Sequence, residues 1–360
     1  MSKKVKCPFC FHNVLPVPSA NGGQKCGNPE CESHKQEIPF PPEVFTHELF
    51  PIAIVGPSSS GKTFFLTAVM NEFMQRPPWS GDGGYWDLDV VHYAADIRNE
   101  GATNKFIGHW KTLFKEKRRL DPTVALENVW LPPLLLSIAH SRNLKWTMKE
   151  PLRKRKLLLA FHDVPGEFTT DDNARMALAK RYGALNEAKG IIVLVEPTEL
   201  PRVKSTLVNA RMIPEGGETD TRESSLEAIK GLRLARQRKK PVAICLSKSD
   251  LLLSTPSLFP RESHLAQYEQ TDFRKEGVLQ LGDVRETTAQ VRDTFEQFNA
   301  GDYLPLMSQS FRYYAFFAIS AMGREVINPF TDEIVATPQP IRVLDPILWI
   351  LWQWGLLGGE

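Results

Sequence analysis

The 360-residue chain has no apolar run of the ~20 residues that a bilayer-spanning helix needs. Its longest apolar run near the C-terminus, from Ile347 to Leu357 and broken by Gln353, is about half that length and reads as a core helix. Net charge is also scarce. Forty-four Lys and Arg stand against 42 Asp and Glu, so no global field draws the molecule onto nucleic acid or an acidic membrane, and nucleic acid is not an expected partner. The opening Met1-Ser2-Lys3-Lys4-Val5 has no apolar stretch before the first cysteine, which argues against a secretory leader, and Ser2 stands where N-myristoylation requires glycine. A cytoplasmic protein is expected. Cysteine is rare and unevenly placed: Cys7, Cys10, Cys26 and Cys31 crowd the first 31 residues, and Cys245 sits alone in an apolar stretch as a small core residue. What the chain does have is 42% hydrophobic residues, enough for a sizeable core.

In a reducing compartment, four clustered cysteines point to metal rather than disulfides. The spacing is C-x2-C, then fifteen residues, then C-x4-C. Two tight turns of this kind can each present two thiolates to one Zn²⁺ at about 2.3 Å. Cys7, Cys10, Cys26 and Cys31 are the expected ligands, and His12 or His34 lies close enough to replace one of them. Residues 5–34 resemble a zinc ribbon. Residues 1–37 are assigned to this module, 38–46 to a stiff linker carrying Ile38-Pro39-Phe40-Pro41-Pro42, and 47–360 to one main domain.

In that domain, short apolar runs alternate with helix-like segments. Expected strands are residues 50–55, 134–139, 156–162, 190–196, 241–246 and 313–319, and expected helices are 62–75, 224–237, 284–298 and one from Asp345. Nearly continuous β-branched runs belong to strands covered on both faces. The fold class expected is therefore α/β, a doubly wound, mostly parallel sheet with the small zinc ribbon in front.

Gly56-Pro57-Ser58-Ser59-Ser60-Gly61-Lys62-Thr63 fits the P-loop pattern G-x-x-x-x-G-K-[ST], directly after a predicted strand and before a predicted helix. Backbone amides of such a loop, together with the helix N-terminus, cradle the α- and β-phosphates. The lysine reaches the β- and γ-phosphates and the threonine holds Mg²⁺.

Three further motifs follow in order at strand ends: Asp163-Val164-Pro165-Gly166, Ser247-Lys248-Ser249-Asp250 and Ser320-Ala321-Met322. Together with the P-loop they resemble the D-x-x-G, N-K-x-D and S-A-K motifs of Ras-like GTPases of the TRAFAC class. The resemblance covers the chain from about Leu49 onward. It implies GTP or GDP and Mg²⁺ as ligands, with Thr63, Thr123 and Asp163 on the metal and the Gly166 amide on the γ-phosphate. Asp250 would accept from the guanine N1–H and N2–H groups, Lys248 would lie along the base, Ser247 would have only a shorter hydroxyl reach to the P-loop, and the Ala321 amide would meet O6 beside Met322. Thr123 is chosen from Asp121-Pro122-Thr123, ahead of Thr103 and Thr112. Glu167 stands where the family keeps a water-orienting Gln, so weak intrinsic hydrolysis is expected. Ser247 departs from the family's Asn or Thr. Arg119 lies in the region of a cis arginine finger in imperfect register, and is read first as a solvated surface residue. The stretch 111–156, with twelve Lys and Arg against four acids, is read as a solvated hairpin, with an anionic partner surface or RNA as the alternative.

The ensemble looks like the bacterial double-GTPase type, whose zinc-ribbon-bearing members are thought to act with a companion GTPase and a GAP-like protein in conflict or defence systems. A GTPase hydrolysing GTP to GDP, with a protein partner as activator or effector, is the expected function. A GTP-gated scaffold with negligible hydrolysis and a P-loop ATPase are the alternatives.

Overall fold

The computed structural model describes residues 3–57, 60–74, 79–81, 84–91, 102–120, 132–141, 155–164, 183–209, 225–226, 228–230, 232, 238–255, 258, 263–267, 279–298, 300, 302–324, 326 and 333–358. Among them, the strands of the main sheet are β1 (Glu48–Val55), β2 (Trp79–Gly81), β3 (Gly84–Val90), β4 (Leu134–Ser141), β5 (Arg155–Asp163), β6 (Gly190–Val195), β7 (Pro241–Leu246) and β8 (Tyr313–Ala318). The principal helices are α1 (Lys62–Met74), α2 (Ala102–Trp110), α3 (Pro201–Asn209), α4 (Ser249–Leu253), α5 (His264–Gln267), α6 (Leu281–Gln297), α7 (Tyr303–Ser310) and α8 (Asp345–Gln353).

The eight strands form one sheet in the order β8-β7-β6-β1-β5-β4-β3-β2. The first five are mutually parallel, and the last three add on antiparallel. The α/β class holds, with crossovers between parallel neighbours. β2 and β3 were not anticipated. The alternation of Trp86, Leu88 and Val90 with Asp87 and Asp89 carries a strand period, and Gly81-Asp82-Gly83-Gly84 before it is a turn signal that the double proline at 77–78 obscured. Of the expected helix 224–237, only residues 225–226, 228–230 and 232 are described, and they are helical.

Alternation along β1 divides the core into two layers. Phe50, Ile52 and Ile54 face one cluster with Leu66 and Val69 of α1 and Trp349 of α8, whereas Ala53 and Val55 face another with Val203 of α3, Phe295 of α6 and Tyr303 of α7. This is why β6 and β7 are buried along their whole length and read as unbroken apolar runs.

The N-terminal module is built from two short hairpins, Val5–Lys6 with Asn13–Val14 and Val17–Pro18 with Gln24–Lys25, followed by a helical turn, Glu32–Lys35. Its Phe9, Phe11, Cys7, Cys26 and Cys31 form one apolar cluster with Leu49 of β1, Leu135 of β4, and Leu158 and Ala160 of β5. The proline-rich segment 38–46 is part of this body. The Ile38 amide donates to the Ser33 carbonyl (2.8 Å), the Phe40 amide donates to the Gln24 carbonyl (2.6 Å), and Glu43–Thr46 closes a helical turn. Ile38, Phe40 and Val44 are buried, so this segment contributes core side chains rather than hanging free in solvent.

Candidate nucleotide-binding site

Four adjacent strands, β1, β6, β7 and β8, end side by side. Val55 stands opposite Val193, Val195 opposite Leu246, and Leu246 opposite Ala318. The loops leaving these carboxyl ends share one rim of the sheet, where open parallel sheets bind ligands.

The P-loop leaves β1 at Gly56. A Cβ there would lie 2.7 Å from the Ser60 hydroxyl and 2.8 Å from the Leu194 carbonyl oxygen, so glycine lets the loop pass close against β6. Ser60 is buried, and its amide and hydroxyl both donate to the Pro57 carbonyl, at 3.1 and 2.8 Å. Gly61 takes a φ of +84°, and its carbonyl accepts the Phe65 amide at 2.8 Å, so the helical ladder begins there. The Lys62 side chain is only 6% exposed, with Nζ donating to the carbonyls of Gly56 (2.8 Å) and Pro57 (2.9 Å). A buried ammonium inside a loop at the positive end of a 13-residue helix fits an anion. Thr63 is the second residue of α1. β5 lies beside β1 with Asp163 opposite Ile54, and the Val164 amide donates to the Ile54 carbonyl at 3.0 Å, which sets Asp163 next to the start of the P-loop. Ser58, Ser59, Thr123, Gly166 and Glu167 lie outside the described residues. Thr103 is on α2, Thr112 lies in the π-helical turn Lys111–Lys115 that continues it, and Arg119 is exposed beyond that turn.

On the other half of the rim, the motifs after β7 and β8 meet. The chain turns at Lys248 with φ +49°, and Asp250 falls in the first turn of α4. The Ser320 hydroxyl donates to Asp250 Oδ1 at 2.5 Å and itself accepts the amides of Met322 (3.2 Å) and Gly323 (2.8 Å). Loss of water pushes the Asp250 carboxyl above its ordinary range, against the pull of Ser320 and Lys248. The Ser247 hydroxyl donates to the Val195 carbonyl (3.2 Å).

Two acids on this rim were not singled out from the sequence. Glu196, the first residue after β6, holds Lys248 Nζ at 2.6 Å. Glu199, three residues on and 2% exposed, accepts the Glu196 amide (3.1 Å), the Ser225 hydroxyl (2.7 Å) and the Tyr303 hydroxyl (3.1 Å). Burial, with Glu196 adding its charge, pushes the Glu199 carboxyl up to about 8 against those hydrogen bonds. An acid directly after a buried strand was the available signal for Glu196, and Glu199 falls three residues on, after Pro197, as the N3 acid of a capping box.

The four N-terminal cysteines form a second candidate site. None is in a disulfide, and their sulfurs all lie within 4.8 Å of one another, with Cys7 to Cys31 at 4.0 Å and Cys10 to Cys26 at 3.7 Å. A tetrahedron with metal–sulfur arms of about 2.3 Å has edges of about 3.8 Å, so the set fits Zn²⁺. The amides of Phe9 and Asn28 point at Cys7 and Cys26 Sγ, each at 3.4 Å, as knuckle amides do toward metal-bound thiolates. His34 Nδ1 is engaged with the Cys26 carbonyl at 2.6 Å, and the His12 side chain hydrogen-bonds to Cys10 at the edge of the four-sulfur group. The module also reaches the carboxyl end of β5, beside the P-loop. Phe11 packs on His162, the residue before Asp163, with ring centroids 4.7 Å apart, and burial lowers the His162 imidazole to about 3, keeping it neutral.

No protein-family model and no curated protein matches this chain. Among solved structures, it is similar to a signal recognition particle receptor SRb-GTP/SRX complex from Chaetomium thermophilum, at 15% identity over 77% of this chain and 92% of that one, with a TM-score of 0.31. It is also similar to the S. cerevisiae Ski7 GTPase-like domain bound to GTP (11% identity, 86% of this chain, 51% of that one, TM-score 0.37). A third is sup35 complexed with GDP (10% identity, 76% of this chain, 38% of that one, TM-score 0.25). The chain thus spans about half of the second chain and under half of the third. No helix among the described residues is long and apolar enough to cross a membrane.

Proposed function

We propose that this chain is a guanine-nucleotide-dependent switch that binds GTP and GDP with Mg²⁺ and hydrolyses GTP slowly by itself. The observation that carries the reading is the hydrogen bond from Ser320 to Asp250. It joins two motifs 70 residues apart on the rim that the P-loop shares, one of them able to read a purine edge. Asp250 offers two acceptor oxygens to the paired N1–H and N2–H donors of guanine, a pair that adenine lacks. Apart from Pro57, which has no N–H, the loop amides of residues 56–63 and the Lys62 ammonium would hold the phosphates. Thr63, Asp163 and Thr123 would be the residues on the magnesium side, where the ion would supply charge neutralisation for the phosphates. The Gly166 amide would sit at the γ-phosphate, and Glu167 would orient water while repelling that phosphate. A GAP-like protein or a companion GTPase is the partner class that would overcome this repulsion, consistent with the double-GTPase resemblance and its conflict-system setting.

The test is base specificity. Each hydrogen bond to a charged group contributes about 1.5 to 3 kcal/mol, so losing both in Asp250→Ala should weaken GTP roughly a hundredfold to ten-thousandfold. Asp250→Asn exchanges an acceptor for a donor that clashes with guanine N1–H and suits the C2 carbonyl of xanthine. Dissociation constants for GTP, XTP and ATP should therefore move from GTP toward XTP. Unchanged GTP affinity without gain for XTP would leave Asp250 with no part in base reading, and the ATPase reading would take its place.

A further inference from the structure

The chain does not pass directly from the Ser320-Ala321-Met322 turn into α8. Residues 333–344 first come back along that turn as a strap. Ser320 and Ile341 exchange amide-to-carbonyl hydrogen bonds at 3.0 and 2.8 Å, and the Gln339 amide donates to the Met322 carbonyl at 2.7 Å. The approach is close: at Gly323, φ +85°, a Cβ would lie 2.2 Å from the Gln339 carbonyl oxygen.

Immediately after Ile341, a buried charge cluster anchors the strap. The Arg342 side chain is 1% exposed. Its Nε donates to Asp345 Oδ2 at 2.7 Å, its Nη1 to Asp283 Oδ1 at 3.1 Å, and its Nη2 to Asp283 Oδ2. Asp345 opens α8 and Asp283 lies in the first turn of α6, so one guanidinium ties two helices to the strap. His264 of α5 adds a contact to Asp283 Oδ1 at 2.6 Å. Burial alone would raise the Asp283 carboxyl, but Arg342, and then His264, bring it below its ordinary range. Arg342 also holds φ at +52°, costly for a residue with a side chain. Buried ion clusters add little net stability over apolar packing, and their best-attested role is to specify geometry. What this one specifies is the backbone position of residues 339–341, and through it the Ser320 hydroxyl on Asp250 and the Ala321 amide.

Resting on the guanine reading above, we propose that Arg342 is a positioning residue for base recognition: by locking Asp283 and Asp345 it holds the strap that sets Ser320 and Ala321 against the base-reading Asp250. It touches no nucleotide and acts through the strap.

The test uses the full chain and three ligands measured by calorimetry with Mg²⁺: GDP, inosine diphosphate, which lacks the 2-amino group, and pyrophosphate, which lacks the base. Two variants perturb the strap in different ways. Arg342→Gln removes the anchor, and Gly323→Ala keeps every charge while forcing turn and strap apart. In each, GDP affinity should fall about tenfold or more and the preference for GDP over inosine diphosphate should shrink toward one, with pyrophosphate held within about twofold. If folded variants keep the wild-type preference, or lose all three ligands equally, the positioning role is overturned while the guanine reading stands. If the wild-type chain itself shows no preference for GDP over inosine diphosphate and ADP, the guanine reading falls and takes the inference with it. Hydrogen exchange on the unaltered protein gives an independent outcome. The amides of Gln339 and Ile341 should be better protected by GDP than by pyrophosphate, and equal protection would also overturn the proposal.

Discussion

Glu199 offers a clean quantitative test, because its environment makes it an acid that should be neutral at pH 7. The side chain is 2% exposed, and burial lifts its carboxyl to about 8 from the ordinary 4.5. The folded state therefore holds a proton that the unfolded chain releases near 4.5. The associated stability is fully present below about 4.5 and is lost as pH rises toward about 8. One pH unit corresponds to about 1.4 kcal/mol per differentially bound proton, so the loss across that window reaches at most roughly 5 kcal/mol. Glu199→Gln copies the neutral acid, and the Tyr303 hydroxyl can rotate to accept from the amide. The variant should match wild type at pH 5 and exceed it by a few kcal/mol at pH 8.5. Urea unfolding of both proteins at intervals between pH 5 and 8.5 measures the difference, in which the other titrating groups cancel to first order. A difference that does not change with pH, or a variant weaker than wild type at pH 8.5, would show that Glu199 is ionised in the native protein and that the pocket formed with Ser225 and Tyr303 does not exclude charge.

Two further outcomes follow from the candidate sites. Lys62→Ala should abolish tight GTP and GDP binding in calorimetry, since the ammonium held by Gly56 and Pro57 lies inside the loop that would cradle the phosphates; unchanged affinity would remove the P-loop assignment. Elemental analysis should find about one Zn²⁺ per chain, lost when Cys7 and Cys10 become Ser. Because structural zinc contributes roughly 10 to 16 kcal/mol in small finger peptides, and because Cys7, Phe9 and Phe11 share a core with Leu49, Leu135 and Leu158, the main unfolding transition should move to lower temperature. A metal-free chain with an unmoved transition would refute both the zinc site and its structural coupling to the sheet.

Local order was legible in the sequence wherever chemistry is written in consecutive residues. The run Gly56 to Thr63 between a strand and a helix, the four closely spaced cysteines and the buried strands β6 and β7 needed no tertiary information. A strand–loop–helix passage and a cluster of closely spaced thiols are each specified by near neighbours, and a two-sided strand by its unbroken apolar run. One signal masks another where the double proline at 77–78 precedes the alternation of β3. Side-chain partners across long separations leave no local trace. Glu196 meets Lys248 over 52 residues and Arg342 meets Asp283 over 59, and neither pair carries a local pattern. Only the parallel register of β1, β6, β7 and β8 brings the motifs to one rim and turns Ser247 toward Val195. Likewise the segment 38–46 looked like a linker from its prolines, but Ile38, Phe40 and Val44 found a sheet face to bury, and hydrophobic burial there outweighs the extended preference of the prolines. The chain's own residues determine which groups could do chemistry; the fold decides which of them stand together, because contact between distant residues depends on strand order and packing that no short stretch of sequence encodes.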